Sequence, residues 1–164
     1  MGFDPVEICS VLAEEGVEFV VLGGFAAVVH GSPLPTEDID IVPSRTDDNL
    51  ERLARALRRL DARIRTSDEP VATTIDAAFI RNMPHMVNLV TSHGDLDLVF
   101  SAAGNLKAFE QWAERARPTQ LRDGVIVAVA NLDDIIASKT AANRPKDHRS
   151  LPYLESLREQ IDGR

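Results

Sequence analysis

Asp38 and Asp40 flank a single isoleucine in the run "DIDI", residues 38 to 41. If that run is a β-strand, alternation places both carboxylates on one face, with Cα atoms about 6 to 7 Å apart. Ile39 and Ile41 then point to the other face. Two adjacent carboxylates repel one another and lose hydration, so the bare pair is costly. A divalent cation relieves both problems, and hard oxygen donors select Mg²⁺ or Mn²⁺. Upstream, an apolar run ends on Gly23-Gly24. Glycine lets a phosphate approach the backbone and tolerates positive φ. A helix starting there offers free N–H groups to an anion. An anion site beside a carboxylate pair is a seat for a nucleoside triphosphate. Taken singly, the glycines also read as a plain turn and the aspartates as a solvated strand edge.

The elements that must position these groups follow from the local pattern. Asp4-Pro5 reads as an N-cap and first helical position, and Gly16 ends that helix. Val17 to Leu22 is a β-rich apolar run, Phe25 to His30 a short helix, and Gly31 to Glu37 a loop. Asp38 to Val42 is the second strand. Thr46 caps a helix whose apolar stripe is Leu50, Leu53, Ala54 and Leu57. Residues 62 to 85 are ambiguous: 62 to 65 could be strand, and 74 to 80 strand or helix. Met86 to Thr91 and Leu96 to Phe100 form two strands with a tight connection. Leu106 to Ala116 predicts a helix, Val125 to Val129 a strand, and Asn131 caps a helix reaching Ala142. Pro145 opens a last helix that Pro152 is expected to interrupt. The pattern predicts an α/β (α+β) fold, a mixed sheet flanked by helices, with C-terminal helices over about 131–164.

The chain has 164 residues and is expected to form a single domain, 1–164. Aromatics are only 5%, so the core must be built from Val, Ile, Leu and Ala. The lone Cys9 excludes an internal disulfide and fits a reducing cytoplasm. No apolar run is long enough to span a bilayer, and the opening residues lack the pattern of a signal peptide. The net charge of −8 argues against broad nucleic-acid binding. Two basic clusters stand out locally. One is Arg52 to Arg65, read as a solvated helix face or an RNA or antitoxin surface. The other is Lys139, Arg144, Lys146, His148 and Arg149. None of the four histidines has metal-ligand spacing.

The order of apolar strand, Leu22-Gly23-Gly24, short helix, loop and Asp38-Ile39-Asp40 resembles the polymerase β-like nucleotidyltransferase superfamily. That family places Ser where Gly24 stands, and adds a third carboxylate on a later strand. "GDLDLVF", residues 94 to 100, supplies it as Asp97, with Asp95 nearer the turn. Together with "LDDIIASKTAANRPKDHRSL" these motifs look like the AbiEii-type branch, which includes the MenT toxins of toxin–antitoxin pairs. The resemblance implies transfer of NMP from an NTP to a hydroxyl acceptor. One metal on Asp38 and Asp40 would grip the triphosphate, and a second, also on Asp97, would activate the hydroxyl. Asp97 is the implied base. Lys139, with Arg144 or Lys146, would neutralise the leaving pyrophosphate. Asp147 falls where the branch often carries an acid.

By resemblance the acceptor is tRNA and a cognate antitoxin is the partner. The acidic balance instead favours a cationic small molecule such as an aminoglycoside. An idle member that only binds a nucleotide or a protein is the third possibility.

Overall fold

The computed structural model describes residues 2–163. Its centre is a seven-stranded mixed sheet of order β3-β4-β5-β2-β1-β7-β6. Helix α1 (Pro5–Glu14) begins where Asp4 accepts a hydrogen bond from the Glu7 N–H. Strand β1 (Phe19–Leu22) is buried along its length and runs straight into α2 (Gly23–His30). Strand β2 (Asp38–Pro43) pairs antiparallel with β1. Helix α3 (Asp47–Arg59) follows, capped by Thr46. Its buried Asn49 ties it to the sheet: the side-chain amide donates to the Glu18 and Ser44 carbonyls, and the side-chain carbonyl accepts from the Glu18 N–H. Every polar atom of that buried amide group thus has a partner, as burial demands.

The ambiguous stretch resolves into short pieces: β3 (Arg63–Ile64), at one edge of the sheet, and α4 (Ala77–Arg81), capped by Asp76. Strands β4 (Met86–Thr91) and β5 (Gly94–Val99) form the expected tight hairpin. Strand β5 then lies parallel to β2, with Asp40 opposite Asp97. Helix α5 (Phe109–Arg115) starts three residues later than the sequence pattern suggests. The Gln111 side chain accepts from the Lys107 and Ala108 N–H groups and fixes the start there.

Strand β6 (Arg117–Arg122) has too polar a pattern to be read from sequence, and it contains Pro118. An edge position tolerates both features. It pairs with β7 (Val125–Val129), which lies parallel to β1. Helices α6 (Leu132–Ala142) and α7 (Pro145–Asp162) complete the chain.

Pro152 does not interrupt α7, contrary to expectation. It sits on the exposed side of the helix, so the His148 carbonyl that loses its N–H partner faces water. The core is one continuous cluster dominated by Val, Ile, Leu and Ala. Cys9 is fully buried, and desolvation pushes its thiol up to about 12, so it packs and does not react. Among the described residues, no helix is long and apolar enough to cross a membrane.

Candidate active site

The parallel pairing of β2 with β5 does what alternation within one strand cannot. It brings Asp97 level with Asp40 and onto the same face as Asp38. One oxygen from each of the three carboxylates lies within 4.8 Å of the others. The opposite face of both strands carries Ile39, Ile41, Leu96 and Leu98, all fully buried, and this fixes the register. A one-residue slip of either strand would drive its carboxylates into the core.

Crowding leaves the cluster electrically unrelieved. Desolvation, then the charges of Asp38 and Asp97, push the Asp40 carboxyl up to about 7. Desolvation also raises Asp97, although Arg65 opposes the shift. Three oxygen donors at this spacing, desolvated and crowded by like charge, suit a hard divalent cation. Asp38, Asp40 and Asp97 would be its ligands.

Gly23 is required by the carboxylates themselves. Its φ is +66°, and a Cβ there would collide with the Asp40 side chain. The sequence suggests a phosphate as the reason for glycine, whereas the nearest demand is room for Asp40. Gly24 is less constrained: a Cβ would lie 3.0 Å from the Thr36 hydroxyl. That hydroxyl donates to the Asp38 carbonyl at the entry to β2. Gly23→Ala should therefore cost about 1 to 2 kcal/mol from the left-handed backbone alone. Displacing Asp40 should also slow transfer about 100-fold. Thermal melts and a transfer assay, with Gly24→Ala as the milder control, check both effects. Equal behaviour of the two variants would contradict this account.

The basic groups come from α6 and α7. Asn143, in the left-handed conformation, turns the chain between the two helices. Asp147 in the first turn of α7 is fully buried. It accepts from the Arg144 guanidinium at 2.7 and 3.2 Å and from the Arg144 N–H at 3.1 Å, and lies 3.6 Å from the Lys139 ammonium. Burial alone would raise the Asp147 carboxyl, but these partners hold it below the usual range. Lys139 is mostly buried, and desolvation brings its ammonium below the ordinary lysine range. Asp147 is thus the organiser of the cationic cluster.

The acidic cluster and the cations held by Asp147 border one cleft of about 1080 Å³. Gly23, Gly24, Asp38, Asp40 and Asp97 line it together with Lys139, Arg144 and Lys146, and the walls include Trp112 and Leu154. Every residue singled out from the sequence for catalysis or nucleotide binding therefore borders the same space. His148 does not line it, but Arg149 does.

The sequence reading missed Arg65. It belongs to no helix: it follows β3, where its N–H donates to the Asn88 carbonyl. Its guanidinium pairs with Asp97 at 2.8 Å and with Asp95 at 3.3 Å. The signal available was its place just past a short strand at the end of an arginine run. Elsewhere in that run, Arg55 and Arg59 pair with Glu14 and Glu15 of the first helix and its end.

Comparison with known structures places this architecture among nucleotidyltransferases. The lincomycin-bound lincosamide antibiotic adenylyltransferase LnuA superposes with a TM-score of 0.62 at 14% identity, over 95% of this chain and 98% of the other. The antibiotic-resistance factor ANT(2'')-Ia, in complex with adenylyl-2''-tobramycin, gives 0.56 at 15% identity, over 95% and 93%. A Thermotoga maritima protein described as a nucleotidyltransferase gives 0.53 at 17% identity, over 96% and 90%. At such identities the likeness is one of fold. By sequence, no curated protein matches the chain. A family model described as "Nucleotidyltransferase of unknown function (DUF6036)" matches residues 7–162. With nearly the whole chain matched, the protein belongs to the DUF6036 family of nucleotidyltransferases.

Proposed function

We propose that this protein transfers NMP from an NTP to a hydroxyl of a small cationic acceptor, with Mg²⁺ or Mn²⁺ held by Asp38, Asp40 and Asp97. The observation that carries this reading is the polarity of the cleft. Glu37, Asp38, Asp40 and Asp97, on or beside β2 and β5, line it, as do Lys139, Arg144, Lys146 and Arg149 of α6, α7 and the turn between them. The cationic groups suit the triphosphate, and Lys139 and Lys146 would stabilise charge on the departing pyrophosphate. The acidic groups suit a positively charged acceptor, whose hydroxyl Asp97 would deprotonate. Arg65 holds one Asp97 oxygen and so orients the other. The bound cation supplies Lewis-acid stabilisation of phosphoryl charge and lowers the pKa of an oxygen nucleophile.

Support also comes from the volume, which suits a nucleotide and a compact acceptor. Among the fold relatives, one is a lincosamide antibiotic adenylyltransferase and another holds adenylyl-2''-tobramycin. The rival acceptor, tRNA, would make the protein a toxin of the AbiEii/MenT type with a cognate antitoxin. It needs a broad cationic surface, and Arg55 and Arg59 of the arginine run are engaged by glutamates. A buried, unreactive Cys9 is compatible with a cytoplasmic setting.

The deciding experiment incubates the protein with each labelled NTP and Mg²⁺, and with an aminoglycoside and lincosamide panel or total tRNA. Label on a small cationic acceptor is the expected result. Label on tRNA alone would replace this reading with the toxin one. Nucleotide binding without transfer to any acceptor would point to an idle member.

A further inference from the structure

Helix α7 presents one face to the cleft: Lys146, Arg149, Ser150, Tyr153 and Leu154, at helical steps of three and four. The cations sit near its start, and the aromatic lies two turns further along. Tyr153 is the only tyrosine in the chain and remains 51% exposed although it borders the cleft. Met86, on β4, is the only other large apolar side chain that is so exposed and lines the same space among the described residues.

We propose that Tyr153 is the platform on which the nucleobase of the NTP stacks. This rests on the nucleotidyl-transfer reading and adds to it the orientation of the donor. Lys146 directly precedes Asp147, the anchor shared by Lys139 and Arg144, and lines the cleft with those two cations. It therefore marks the phosphate end of the donor. Seven residues separate Lys146 from Tyr153, about 10 Å along the helix axis. That is the reach of a nucleotide from its phosphate to its base. A flat apolar face there satisfies the one part of the donor that the charged groups cannot hold, and stacking tolerates any of the four bases. Met86 is less suited, because its strand pairs with β5 beside the acidic cluster, on the side assigned to the acceptor.

The test compares equilibrium binding of each NTP and of inorganic triphosphate to the wild type, Tyr153→Ala, Tyr153→Phe and Tyr153→Trp. Tyr153→Ala should weaken NTP binding roughly 10-fold and leave inorganic triphosphate unchanged. Tyr153→Phe should bind like the wild type. Tyr153→Trp should show fluorescence quenching by NTPs, measured against the wild-type background from Trp112, the only native tryptophan. Equal weakening of NTP and inorganic triphosphate would reduce Tyr153 to a structural role and overturn the proposal. Unchanged NTP affinity in Tyr153→Ala would also overturn it. If the wild type bound inorganic triphosphate and no NTP, the transfer reading itself would fall, and this proposal with it.

Discussion

Replacing Asp40 with asparagine should abolish nucleotidyl transfer and, without metal, make the protein more stable. The two effects share one cause. Asp40 is pressed between Asp38 and Asp97 with little access to water, and its carboxyl is pushed up to about 7. Its folded pKa is thus above the value of about 3.9 expected for the unfolded chain. Such a group contributes stability that is present below the unfolded pKa and lost as pH rises through the folded one. Between about pH 4 and 7 the metal-free wild type therefore weakens. Asparagine keeps the shape and removes the charge, so the variant should gain about 2 kcal/mol at pH 8 and almost nothing at pH 4. Mg²⁺ should raise the melting temperature of the wild type well above that of the variant, because ligand binding to the native state adds stability only where the site is intact. The transfer rate should fall at least about 1000-fold, since a cation aligned with the phosphate supplies several kcal/mol of transition-state stabilisation. Melts at pH 4 and pH 8 with and without Mg²⁺, beside a transfer assay, read out all of this. Equal Mg²⁺ stabilisation of both proteins would remove the metal from the account.

The cluster was legible in the sequence because its parts obey local rules. Period-two alternation sets Asp38 with Asp40, and the family resemblance asks for a third carboxylate that Asp97 supplies. The parallel register of β2 against β5, which sets the height of Asp97 against Asp40, is a tertiary fact that neither strand encodes alone. Arg65 was hidden for a related reason. Residues 62 to 65 could be read as strand, but nothing local shows that the chain just past β3 sets Arg65 against Asp97 on β5. Edge strand β6 escaped notice because alternation weakens where both faces meet solvent. Pro152 misled in the other direction. Its propensity cost is real, but α7 packs on α6 and buries Leu154 fully, and packing outweighs one lost hydrogen bond at a solvated position.

The second large effect is expected at Asp147, which touches no substrate. Its buried carboxylate is the anchor shared by Arg144 and Lys139, and it also accepts from the Arg144 N–H just ahead of α7. Asp147→Asn keeps the volume and removes the charge that these cations neutralise. Lys139 is the more sensitive of the two, because it is largely withdrawn from water and already below its ordinary pKa. Arg144 is half-exposed and can rehydrate. The loss should be about 2 to 3 kcal/mol, the range for hydrogen bonds to a charged group left partly unpaired. The pH dependence has the opposite sign to that of Asp40. The folded pKa of Asp147 is depressed, so its contribution is present above the unfolded value and lost as pH falls through the folded one. The wild type should therefore lose its advantage over Asp147→Asn on acidification below about pH 4. In kinetics, the freed cations should no longer converge on the departing pyrophosphate, and transfer should fall about 100-fold, with tighter dependence on NTP concentration. Asp147→Glu, which restores the charge at a slightly different reach, should recover part of both losses. Urea melts at about pH 3 and at pH 7, with kcat and KM for the NTP, test the point. If Asp147→Asn matched the wild type in stability at pH 7, the buried carboxylate could not be what organises the cationic wall of the cleft.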